Sequence, residues 1–201
     1  MDASIPYNGA LTRERFLFHE TRTTARLFSE GLADAEIVEA IVKDNLFQYP
    51  TERSLVSVAR ACLRRLRALN DDELAREIAT RPSCVAKQIC LYAVMRQNRL
   101  VWEFMITVIG EKYRTFNSSF GRIDVNSFFT RLQEQDDDVR NWKESTIARI
   151  KSVLVRILVE NEYLDSYRST RLNPVWLDSA LEERIRKNGD EIALSAFNRL
   201  N

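Results

Sequence analysis

TERSLVSVARACLRRLRAL, residues 51–69, reads as one helix with two opposed stripes. Thr51 is a natural N-cap, because its hydroxyl can accept from the unpaired amides of the first turn. Leu55, Val58, Ala59, Cys62, Leu63, Leu66 and Leu69 cover one side. At about 100° per residue, Arg53, Arg60, Arg64 and Arg67 fall within about 60° of one another on the other side. Glu52 is the only acid in the stretch, so the stripe carries no counterions of its own. Like charges three and four apart repel and cost helix stability. A helix that keeps them is expected to present them to something anionic. Every base in the stretch, Arg65 included, is arginine, whose planar fork grips phosphate oxygens bidentately. Spacing alone leaves two plainer readings open: a solvated face, or ion pairs to neighbouring helices.

The rest of the chain extends the helical pattern. Residues 12–30 read as a helix ending at Gly31, with Phe16, Leu17, Phe18, Ala25, Leu27 and Phe28 on one face. Arg15, His19, Arg22 and Arg26 form the opposing stripe. Asp34 is expected to cap a short helix, and Asn70 or Asp71 another that ends near residue 80. Pro82 starts a helix running to about 98, and residues 100–116 form a sixth around Trp102, Phe104, Ile106 and Ile109. Beyond a loop at 117–122, Asp124 caps a helix carrying Phe128, Phe129 and Leu132, and 143–161 is a long helix apolar around most of its circumference. Residues 163–167 and 171–176 read as two short strands, and two short helices close the chain around Gly189. Five glycines and four prolines suit long helices better than many turns. The expected fold is therefore all-α, a multi-helical bundle over 1–120, with a winged-helix-like part containing a short β-hairpin over 121–201. In that geometry the start of the second helix enters the major groove, which singles out Lys143 and Arg149. Glu144, Glu160 and the run Asp136-Asp137-Asp138 suit protein docking equally well.

Composition bounds the function. Apolar content of 45% and charge content of 29% are those of a soluble globular protein. The net charge of +1 hides a polarised distribution: basic residues dominate 45–69 and 81–123, and acids dominate 124–165. Cys62, Cys84 and Cys90 form no C-x-x-C pair and read as buried thiols of a reducing compartment. No secretory signal precedes residue 9, and the most apolar stretch, 100–110, is interrupted by Glu103, so a cytoplasmic protein without membrane insertion is expected.

Catalysis finds little support. His19 is the only histidine, so a metal site built on a histidine cluster is excluded. Phosphate-cradling glycine loops and the H-E-x-x-H and G-x-S-x-G motifs are missing. The aspartate run lacks the spacing of a calcium loop. No catalytic residue, metal, cofactor or small-molecule substrate is expected. The aromatic residues lie mainly on apolar faces, as a core would have them.

Several stretches resemble one family: Tyr7-Asn8-Gly9, Leu11-Thr12-Arg13-Glu14-Arg15-Phe16 with Glu20 and Arg22, Asn45-Leu46-Phe47-Gln48-Tyr49-Pro50-Thr51-Glu52-Arg53-Ser54, and Ala59-Arg60-Ala61-Cys62-Leu63. They are similar to BrxA, a small accessory protein of BREX (bacteriophage exclusion) phage-defence systems. The resemblance implies an all-helical cytoplasmic protein, likened to NusB in fold, that itself binds double-stranded DNA and works beside other BREX proteins. It supplies no catalytic residues.

Together these readings predict a non-enzymatic, double-stranded DNA-binding subunit of phage defence. Arg15, Arg22, Arg26, Arg53, Arg60, Arg64 and Arg67 would hold phosphates, with Lys143 and Arg149 as a second contact. The rivals are a scaffold docking acidic surfaces of partner proteins and a NusB-like RNA binder.

Overall fold

In the computed structural model, which describes residues 6–199, the apolar stripe of 51–69 is buried as its spacing requires: Leu55, Ala59, Cys62, Leu63, Leu66 and Leu69 are each at most 5% exposed. Eleven α-helices and no strand occur among the described residues, so the fold is all-α. They form two compact units, one from Leu17–Gln97 and the other from the described parts of Met1–Phe16 and Asn98–Asn201. The position 120–121, where the sequence reading divides the chain, lies inside the second of these.

The Leu17–Gln97 unit contains α1 (Phe18–Ser29), α2 (Asp34–Lys43), α3 (Glu52–Ala68), α4 (Asp72–Thr80) and α5 (Ser83–Gln97). α3 packs against α1, α2 and α5, while α1 also packs on α4. Local chemistry sets the ends. Thr51 Oγ1 accepts from the Ser54 amide at 3.3 Å, and Asp71 Oδ1 accepts from the Leu74 amide at 3.0 Å. α1 starts six residues later than the sequence suggests. Residues 9–12 form a separate 3-10 turn capped by Asn8, and Leu17 adopts a left-handed conformation that breaks the run. Asp34 is the first residue of α2, not its cap.

The other unit carries a helix over 99–114, assembled from α6 (Arg99–Phe104), a π-helical stretch (Met105–Gly110) and α7 (Glu111–Arg114). It continues with α8 (Arg122–Gln135), α9 (Asp137–Arg140), α10 (Glu144–Glu160) and α11 (Ser179–Lys187), and ends in a 3-10 helix, Glu191–Phe197. Gly121 caps α8, and Asp124 turns back to accept from the Gly121 amide at 2.7 Å. Tyr163 is buried and donates to the Ala196 carbonyl at 2.9 Å, pinning the chain after α10 to the C-terminal segment.

Three sequence expectations are corrected here. The hairpin of 163–167 with 171–176 does not form. Residues 170–172 pair with 118–120 instead, through Leu172 N to Ser118 O at 2.7 Å and Phe120 N to Thr170 O at 2.9 Å, around one isolated bridge between Ser119 and Arg171. Buried Phe120 and Leu172 on the inner side of that bridge explain the choice of partner. The thiols are not all buried: Cys62 and Cys90 are, whereas Cys84 is exposed. Nor are the aromatics all core, since Phe116, Tyr167 and Trp176 are exposed.

Burial pushes the Cys62 and Cys90 thiols up and outweighs the opposing pull of the nearby Arg65 charge. A thiol-reactive probe is therefore expected to label one of the three cysteines in the native protein and all three in denaturant. The π-helical segment brings Gly110 so close to its neighbour that a Cβ there would meet Ser195 Oγ at 2.5 Å. Gly110→Ala should cost roughly 1–3 kcal/mol by overpacking, and Ser195→Gly in the same chain should recover part of it, both read from urea denaturation.

Candidate nucleic-acid interface

With its apolar side locked against α1, α2 and α5, α3 leaves Arg53, Arg60, Arg64 and Arg67 exposed on the outside. Glu52, Arg53, Val56, Ser57, Arg60 and Arg64 line one shallow surface along the helix. Arg60 and Arg64 also form one wall of a groove whose other wall is Asp34, Ala35 and Val38 of α2. Leu63 gives this groove an apolar floor, and Arg67 and Gln97 lie along its lining. Arg53 and Arg60 make no ion pair among the described residues.

The other predicted arginines separate by environment. Arg67 is not a free cation: Asp34 approaches it to 2.8 Å and Asp72 to 3.5 Å, and its guanidinium lies 4.7 Å from the centre of the Phe28 ring. Its hydrogen bond to Asp34 raises its pKa further. The stripe thus acquires counterions from α2 and α4 that its own sequence lacks. Arg22 donates to the carbonyls of Ala79 (3.4 Å) and Arg81 (2.9 Å) and to Ser83 Oγ (3.0 Å). It binds the C-terminal end of α4, where carbonyls are left without helical partners and a positive charge is favoured. Arg26 is exposed on α1 and lines neither surface described above. Arg65 sits on the buried side of α3 at 1% exposure.

Arg15, Lys143 and Arg149 belong to the other unit. Arg15 is exposed but precedes α1 and is not helical, so it is not part of that helix's stripe. Lys143 is the N-cap of α10, and Arg149 lies on its exposed face; neither makes an ion pair among the described residues. Without the hairpin, the winged-helix frame that singled them out is not present.

Nothing in the described residues suggests a metal centre, and no group of three His, Cys, Asp or Glu is arranged to hold one. His19 is exposed and lies edge-on to Phe18. Asp136 caps α9 and Asp137 pairs with Arg140, so the aspartate run acts as helix-start chemistry. No helix among the described residues is long and apolar enough to cross a membrane.

The sequence profile of the BrxA family matches residues 5–189. The chain belongs to the BrxA family. It is 33% identical over 187 residues to the BREX protein BrxA of Bacillus cereus, an overlap covering 92% of this chain and 93% of that one. It is 22% identical over 177 residues to the BREX protein BrxA of Paramagnetospirillum magneticum, covering 87% of each. A crystal structure of an uncharacterized protein from Magnetospirillum magneticum shares the fold, with a TM-score of 0.79 over 95% of this chain and 97% of that one at 22% identity.

The BrxA-like stretch 45–54 has a structural role that its composition does not announce. Asn45 Oδ1 accepts from the Tyr49 amide at 3.0 Å, and its Nδ2 donates to the Tyr49 carbonyl at 3.1 Å. The Tyr49 hydroxyl donates to Glu20 of α1 at 2.7 Å. This loop fixes where α3 begins and hence where Arg53 emerges. Val38 and Ala35, the opposite wall of the groove, escaped the search for a binding site because a binding role for apolar residues on α2 leaves no sequence signal.

Two arginines that the sequence places on basic stripes, Arg22 of α1 and Arg60 of α3, thus have different work. Arg22→Ala should destabilise the protein by about 1–3 kcal/mol, because the α4 carbonyls lose their donor. Arg60→Ala should change stability by less than about 0.5 kcal/mol, as expected for an exposed residue without a partner. Chemical denaturation of the two variants checks this contrast.

Proposed function

We propose that the chain is a non-enzymatic subunit of a BREX phage-defence system that binds double-stranded DNA through arginine–phosphate contacts. The observation that carries this reading is the exposed row Arg53, Arg60 and Arg64 along α3, two of which lack any carboxylate partner among the described residues. Guanidinium groups one and two turns apart along one helix face suit phosphates spaced along a backbone, and binding through phosphates carries little sequence preference. Arg26, Lys143 and Arg149 are exposed cations able to add contacts, whereas Arg22 and Arg67 serve chiefly to hold the Leu17–Gln97 unit together. Membership of the BrxA family supports a place among other BREX proteins.

A second reading rests on the groove between α2 and α3. Its apolar floor and wall, Leu63, Val38 and Ala35, beside Arg60 and Arg64, suit an acidic amphipathic helix of a partner protein. That reading predicts that charge reversal at Arg60 and Arg64 breaks partner capture and leaves DNA affinity unchanged.

Fluorescence anisotropy with two unrelated duplexes separates the two. DNA binding through α3 should give similar affinities for both duplexes, with log affinity falling against log salt at a slope of about −3 or steeper. Replacing Arg53, Arg60 and Arg64 with alanine should flatten that slope by up to about 3. A salt-independent affinity, or a slope unmoved by the triple substitution, would exclude the contact.

A further inference from the structure

The segment 118–120 and the segment 170–172 are held side by side by two backbone hydrogen bonds, and exposed aromatic and basic side chains lie within a few residues of both segments along the chain, in the unit that contains α8 and α10. Phe116, at 88% exposure, lies two residues before Ser118. Arg122 lies two residues after Phe120, and Arg168 two residues before Thr170, so the two arginines flank the same end of the pairing. Arg171 stands on the outer side of the bridge with Ser119, because Phe120 and Leu172 point inward. Tyr167 and Trp176 follow at 59% and 78% exposure.

Phe116 is the decisive residue. It occupies the position just past α7 where the Asn117 amide reaches back to the Lys112 carbonyl at 2.9 Å, with φ at +54°. Glycine or asparagine usually fills that place, because a β-carbon is strained in left-handed backbone. Neither backbone preference nor packing accounts for a phenylalanine whose ring is almost wholly in solvent. Of the carboxylates near this segment, Asp124 is paired with Lys112, Glu111 with Arg114 and Glu160 with Arg156, while Asp165 accepts from the Asn173 side-chain amide. Arg122, Arg168 and Arg171 are exposed and make no ion pair among the described residues.

We propose that this face binds an unpaired nucleic-acid strand, with Phe116, Tyr167 and Trp176 stacking bases and Arg122, Arg168 and Arg171 holding its phosphates. Exposed rings interleaved with unneutralised arginines are what single-strand binding uses, since every base has a π-face and the backbone follows the positive charge. A duplex keeps its bases stacked on one another and has no use for the rings. The Arg168–Tyr167–Arg156 arrangement supports the assignment: Arg156 Nε donates to the Tyr167 hydroxyl at 3.1 Å, which steadies the ring without covering it. The proposal is independent of α3, and the two sites are separable by mutation.

The test uses the full chain with fluorescein-labelled oligo-dT and oligo-rU of about twenty nucleotides, enough to cover a site of this class. Binding of either strand is expected, and the comparison decides between DNA and RNA. Phe116→Ala, Trp176→Ala and Arg171→Glu should each weaken it about tenfold, while duplex affinity is unchanged. Phe116→Gly suits the left-handed backbone, so loss of single-strand binding by this variant separates the ring from folding. Arg60→Glu with Arg64→Glu should leave single-strand binding intact. Oligo-dT or oligo-rU should quench tryptophan emission in the native chain but not in Trp176→Phe. Failure of both strands to bind, affinity indifferent to all these ring and Arg171 substitutions, or capture of polyglutamate in place of either oligonucleotide would overturn the assignment, the last pointing to an acidic protein.

Discussion

The rotational setting of α3 is the constraint on which the surface of its unit depends. Leu55, Ala59, Cys62, Leu63, Leu66 and Leu69 are withdrawn from water between three other helices. Each buried leucine contributes on the order of 1.5–3 kcal/mol, so turning the helix by one residue would expose apolar surface and bury an arginine at the same time. The helix therefore has one orientation, and Arg53, Arg60 and Arg64 have no place but the outside. Arg65 shows the limit of that rule. It lies on the buried side near two thiols, at 1% exposure.

The ends of α3 depend on neighbours. At its start, Asn45, Tyr49 and Glu20 tie the preceding loop to α1. At its end, Asp34 from α2 and Asp72 from α4 converge on Arg67, which also rests on Phe28. Charges that are half exposed contribute modestly as an ion pair, so the contact of Arg67 with the ring matters at least as much as its carboxylates. These ties leave the middle of the helix as the part open to a ligand. Of the family-like residues, Asn45 and Tyr49 build the frame, while Arg53 and Arg60 are exposed on the face it holds outward.

Helix content, the caps at Thr51 and Asp71 and the buried stripes were legible because each is set by neighbours a few residues away, whereas the caps expected at Asp34 and Asp124 fall on Ala33 and Gly121. Thr51 and Asp71 cap where their side chains can reach the first amides, and Gly31 and Gly189 take the positive φ that ends a helix. The hairpin was misread for the opposite reason. Residues 163–167 and 171–176 have strand-like composition, but the partner of 170–172 lies some fifty residues earlier, at 118–120. Phe116 and Trp176 depart from the general expectation that aromatic rings lie on apolar faces, and nothing in their neighbours in sequence reveals a surface position.

By itself, the sequence determined that this chain is helical, that α3 has one greasy and one basic side, and that its family is BrxA. Those properties follow from periodicity, capping and local identity, which operate along the chain. Only tertiary structure decided which arginines remain available. Arg22 and Arg26 share a face of α1, yet one is consumed by the carbonyls ending α4 and the other is left in solvent. Arg60 and Arg67 share a face of α3, yet only the second meets Asp34 and Asp72. A guanidinium's availability is set by the acceptors that distant segments place within about 3 Å of it, and helical spacing carries no information about them.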